Sequence, residues 1–74
     1  MRRVRVLMQD ERPCEFQWKR RRVTVESCVD YWSEQGRWWD GEKRRLFFLV
    51  QTERGLFLLC RNAGEEVWYG KPVQ

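Results

Sequence analysis

The stretch "RRLFFLVQTERGLFLLCRN", residues 44–62, limits the fold more than any other part of the chain. Two apolar runs flank Glu53, Arg54 and Gly55, and these three residues suit a hairpin loop with Gly55 in the left-handed position. Such a loop pairs Thr52 with Leu56, Val50 with Leu58 and Phe48 with Cys60 on one face. Phe47, Leu49, Phe57 and Leu59 then share the other face, which turns polar only at Gln51 and Glu53. A strand pair apolar on both sides is either central in a closed or two-layered β-structure, or it offers its second face to a partner.

The other segments repeat β-signals at close spacing. "RRVRVLM" alternates, with Val4, Val6 and Met8 on one side and Arg3, Arg5 and Leu7 on the other, as in a half-buried strand. "QDERP" reads as a turn, and Pro13 argues against a central strand continuing through it. In "CEFQWKRRRVTVES" a two-residue loop at Arg20 and Arg21 places Lys19 opposite Arg22, Trp18 opposite Val23 and Phe16 opposite Val25. Phe16, Trp18, Val23 and Val25 then share one face, a sorting that a one-residue slip destroys. "SCVDYWSEQG" changes period: Ser27 and Asp30 are spaced as a capping box, Val29 and Trp32 lie three apart, and Gly36 can end a turn. That spacing predicts about two turns of helix, although a bent strand also fits. "RWWDGEK" reads as a loop, "NAGEE" as a turn and "EVWYGKP" as a last strand ended by Pro72. The sum is a single all-β domain over residues 1–74, a small antiparallel barrel or strongly curved sheet of about five or six strands with one short helical insert.

A chain of 74 residues buries only roughly 60% of its unfolded surface, so large side chains must supply the core. Five Trp, four Phe and two Tyr do so, but not every ring can be interior, and some aromatic surface is left exposed or covered by a partner. Trp38 and Trp39 pose the problem directly. Adjacent residues of an extended chain point oppositely, so one ring belongs to the core and Trp39 is the candidate for contact.

Lys+Arg 15 against Asp+Glu 11, a net charge of +4, is a mild basic excess compatible with nucleic acid. Arginine dominates it, and arginine grips phosphate or carboxylate in a bidentate way; a solvated β-surface also carries many arginines. Lys19, Arg20, Arg21 and Arg22, with Arg37, Trp39, Arg44 and Arg45, supply the cations and the exposed ring that hold a single strand. Phe47, Leu49, Phe57 and Leu59 are the candidate protein interface.

Cys14, Cys28 and Cys60 are an odd number without close pairing, and the chain has no histidine. Reduced thiols in a cytoplasmic protein fit better than a disulfide framework or a zinc site, and no cofactor or metal is expected. "MRRVRVLMQDE" lacks the apolar core of a signal peptide, and "LFFLV" and "LFLLC" are too short to span a membrane as helices. Without histidine there is no Ser-His or Cys-His pair, the acids are scattered, and the glycines form no phosphate loop, so no enzyme is expected.

One larger pattern remains. Phe16 and Trp18, Val25, Val29 with Asp30, Trp32, Gly36 with Trp38 and Trp39, Gly41 with Glu42, then Val50, Thr52, Gly55 and Trp68 resemble an uncharacterised family of small Trp-rich bacterial domains. These occur beside, or fused behind, polymerase-like proteins of the DNA-damage-inducible mutagenesis (translesion synthesis) system. The pattern covers residues 15–69. Arg20 stands where that family's first hairpin has glycine, and Arg22 and Val23 stand where its second strand adds aromatics. The family has no established activity. The resemblance implies a non-enzymatic accessory module that docks onto a polymerase-like protein or nucleic acid; a purely structural or homodimerising domain is the alternative.

Overall fold

The computed structural model describes residues 1–74 except Arg37, Glu42 and Gln74, and it describes Trp38 through its backbone alone. The chain is all-β: strands β1 (Arg2–Val4), β2 (Val6–Gln9), β3 (Arg12–Trp18), β4 (Arg21–Glu34), β5 (Arg45–Thr52), β6 (Gly55–Asn62) and β7 (Trp68–Val73), with a 3-10 turn at Trp38–Asp40. They form one antiparallel sheet in the order β1-β7-β6-β5-β4-β3-β2, curled into a half-barrel. The N-terminal run that reads as one strand is two. Arg2, Arg3 and Val4 pair with β7, whereas Val6 to Gln9 pair with β3. Arg5 separates them, and its carbonyl accepts the Gln17 N–H at 2.9 Å. Both edges of the sheet therefore end on the same short segment.

Inside the curl, Val4, Phe16, Val23, Phe48, Val50, Phe57, Leu59 and Trp68 form the core, with Val6, Trp18, Val25, Cys28 and Leu46 packed against it. Phe57 takes the rings of Phe16 and Trp18 edge-on, at 5.0 and 5.4 Å between centroids. Gly70 is a close approach: a Cβ there would stand 3.0 Å from Leu59 Cδ2, so β7 lies tightly over β6.

Four further expectations are corrected. In the central hairpin, Gly55 is left-handed as expected, with φ +103°, but Thr52 pairs with Gly55 and Phe48 with Leu59, one residue away from the expected register. The buried Thr52 hydroxyl causes this tightness, accepting the Arg54 N–H at 3.0 Å and donating to the Gly55 carbonyl at 2.8 Å. Phe57 and Leu59 consequently turn inward with Phe48 and Val50, leaving Phe47, Leu49 and Leu58 on the outer face. In the first hairpin the loop is Lys19 and Arg20, so Trp18 pairs with Arg21 and Phe16 with Val23. That register differs by two residues from the expected one, and a shift of two preserves the face sorting.

Residues 27–36 begin in strand rather than helix, since β4 runs unbroken to Glu34. Two register shifts, between Val25 and Ser27 and between Cys28 and Asp30, explain the misleading period. Each bulge adds one residue. Val25, Cys28 and Tyr31, three apart, thus all lie opposite inward positions of β5, namely Thr52, Val50 and Phe48. Pro13 is inside β3 after all, opposite Met8 beside a further register shift in the adjoining edge strand, a position where the missing N–H is tolerated.

The register is open to test by denaturation. Leu59→Ala should destabilise the domain by about 2–5 kcal/mol, as for a buried leucine, and Leu58→Ala by less than ~1 kcal/mol. Equal urea midpoints for the two variants would contradict the inward assignment of Leu59.

Candidate nucleic-acid interface

The kink at Arg5 lies next to the turn joining β3 to β4, and together they frame a cleft of about 760 Å³. Arg2, Arg3, Arg5, Lys19 and Arg20 line it, with Glu66 as its one acidic lining residue among those described. The ion pairs found among the described residues are elsewhere, Arg22 Nε with Glu15 Oε2 at 3.0 Å and Lys43 Nζ with Glu65 Oε2 at 2.8 Å. Five cations thus converge, and among the described residues no carboxylate is paired to them within ion-pair distance. Trp18 holds two in place: the Arg2 guanidinium lies 5.4 Å and the Lys19 ammonium 5.9 Å from its ring centroid. That ring is engaged by cations on its face and by Phe57 at its edge, so it positions charge rather than awaiting a base.

The turn itself is strained. Lys19 and Arg20 both take left-handed φ values, 49° and 69°, the type I′ geometry that favours Asn-Gly. Side chains other than glycine cost about 1 kcal/mol each there.

Of the basic residues singled out from the sequence, Lys19 and Arg20 line the cleft. Arg21 and Arg22 follow at the start of β4, with Arg22 committed to Glu15. Arg44 and Arg45 are exposed at the opposite end, where Arg45 pairs with Glu34. The intervening strand spans roughly 40 Å at ~3.3 Å per residue. Trp39, 67% exposed, belongs to that far end too, in the connection between β4 and β5. Arg37 lies outside the described residues. The cations of the cleft and the exposed indole therefore do not share one surface. The expected protein interface is likewise divided: Phe57 and Leu59 are core, while Phe47 and Leu49 face outward, half-buried, with Trp32 stacked on Phe47 at 5.4 Å. Arg2, Arg3 and Arg5, which line the cleft, do not stand out in the sequence because their signal, alternation with valine, is that of an ordinary solvated strand face.

The far end is balanced by acids. Lys43 donates to Glu65 Oε2 at 2.8 Å and Asn62 Nδ2 to Oε1 at 3.2 Å, and these bonds hold the Glu65 carboxyl below the ordinary range. Cys14, Cys28 and Cys60 are all free thiols. Burial pushes the Cys60 thiol up, against the pull of Arg45 and the N-terminus. Among the described residues no three His, Cys, Asp or Glu side chains group as metal ligands would, and no helix is long and apolar enough to cross a membrane.

Residues 3–69 match a family described as a domain of unknown function, DUF6504, and the chain belongs to that family. No curated protein and no solved structure matches it.

The Glu65 contact is directly measurable. Because its folded-state pKa is depressed, its stabilising contribution is present above the unfolded glutamate value and disappears as pH falls through the folded value. Carboxyl carbon shifts should show Glu65 titrating below the ordinary glutamate value, and Lys43→Met should move it back up. An unmoved midpoint in that variant would remove Lys43 as the main cause.

Proposed function

We propose that this member of the DUF6504 family is a non-catalytic binding module that holds the phosphate backbone of single-stranded nucleic acid along the seam at Arg5. The carrying observation is the single cleft in which Arg2, Arg3, Arg5, Lys19 and Arg20 converge without carboxylate partners among the described residues. Arginines grip phosphate oxygens in a fork that lysine lacks, and each phosphate neutralised releases condensed counterions. A concave basic track suits a flexible single strand. With Trp18 occupied by two cations, affinity at this site comes from charge rather than from base stacking.

Backbone strain supports the same conclusion. Glycine at the second loop position would relieve the turn, yet a cation stands there, facing the cleft. The proposed role is accessory to bacterial DNA-damage tolerance, on the resemblance of the Trp pattern to domains beside polymerase-like proteins. A polymerase-like protein is the alternative ligand of such a module, favoured by the half-buried Trp32–Phe47 stack on the outer face.

Fluorescence anisotropy with a labelled single-stranded oligonucleotide tests the proposal. Binding should weaken with salt at a slope of about 0.7 per phosphate contacted. Arg3→Ala with Arg5→Ala should flatten that slope, whereas Arg44→Ala with Arg45→Ala should leave it unchanged. Arg20→Gly should weaken binding while raising stability by about 1 kcal/mol, as strain is relieved. Absence of binding at low salt, or equal losses from both ends of β4, would overturn the assignment.

A further inference from the structure

β4 pairs with β3 only from Arg21 to Thr24, and with β5 from Val25 to Glu34. Beyond Thr24, no described strand pairs with its second edge, so residues 26–34 present an open row of backbone donors and acceptors along roughly 30 Å. The space beside that edge is a cleft of about 840 Å³ between β4 and the turn of β2 and β3. Tyr31, Phe48 and Leu46 contribute apolar surface to it. Tyr31 lies on the inner face, 4.7 Å from Phe48 between ring centroids, yet is 55% exposed because β3 no longer covers it.

From this we infer that the open edge of β4 accepts an extended polypeptide strand from a protein partner, one carrying basic side chains on alternate residues. This docking surface is separate from the nucleic-acid seam and does not depend on it. Backbone pairing supplies affinity in strand addition, and the flanking side chains supply specificity. Here the flanking charge is acidic: Glu26, Asp30 and Glu34 along the strand, with Asp10 and Glu11 across the cleft. Two arginines also line the cleft, Arg12 and Arg61. Arg61 is already engaged, its guanidinium 5.4 Å over Trp68 and bonded to the carbonyls of Asn62 and Glu65.

The same acids oppose the simplest alternative, a second copy of this chain paired about Asp30. Two β4 edges pairing antiparallel about Asp30 would set Asp30 opposite Asp30, like charges directly across a ladder. The edge therefore repels itself and attracts a cationic strand. The Asp30 carboxylate meanwhile accepts the Tyr31 N–H at 2.8 Å, so an incoming strand can take that donor and leave the carboxylate to its own cation.

The probe is a nine-residue peptide alternating Lys with Val, compared with its Glu-Val counterpart, on the full chain by amide hydrogen exchange. The Lys-Val peptide should slow exchange across residues 26–34, and the Glu-Val peptide should not. Glu26→Lys with Asp30→Lys should reverse that preference, each change in affinity being about tenfold or more. Both substitutions are at exposed positions, so the variant should keep the fold. The inference is overturned if the Lys-Val peptide leaves β4 exchange unchanged, or if charge reversal does not alter the preference. It is equally overturned if concentration-dependent dimerisation protects the same amides without peptide.

Discussion

The structure depends on one backbone constraint: a single N-terminal run serves both edges of the sheet. β1 pairs with β7 and β2 with β3, and Arg5 between them bonds through its carbonyl to Gln17. Unpaired edges are costly to leave open and invite aggregation. A chain of this size cannot spare a separate strand for each edge, so it divides one. The curl that results is what allows Val4, Phe16 and Trp68, from three different strands, to share a core. It also brings Arg2, Arg3 and Arg5 against the β3–β4 turn.

The two tight turns at either end of β3 show how charge is distributed by this arrangement. Each has two left-handed residues that are not glycine, Asp10 with Glu11 at one end and Lys19 with Arg20 at the other. One turn faces the basic seam, and the other faces the acidic cleft beside the open edge of β4. A mild excess of cations over the whole chain thus conceals two surfaces of opposite character. Both lie where the sheet pairing changes, at the kink in the first strand and where β3 parts from β4.

Legibility followed the range of the interaction involved. The faces of the first hairpin were readable because Phe16, Trp18, Val23 and Val25 alternate with polar residues, and a two-residue error in register left them unchanged. The central hairpin offered no such guide. Its apolar residues occupy both faces, so a one-residue error cost nothing in hydrophobic pattern, and the Thr52 hydroxyl bonds favour the register taken. Residues 27–36 were misread for another reason: two bulges give a strand the three-residue spacing of a helix. The site was half legible. Lys19 and Arg20 stood out as part of a charge run, but their partners Arg2, Arg3 and Arg5 looked like the outer side of an ordinary strand.

By itself, then, the sequence determined the class of the fold and its hydrophobic inventory. Alternation, turn residues and a supply of large rings specify antiparallel strands around an aromatic core, because those signals act between neighbours in the chain. Which cations meet, which edge stays open and which rings face outward were decided only by the tertiary structure. Those outcomes depend on strand order and register, and the contacts that select them join residues far apart in sequence, such as Val4 with Trp68.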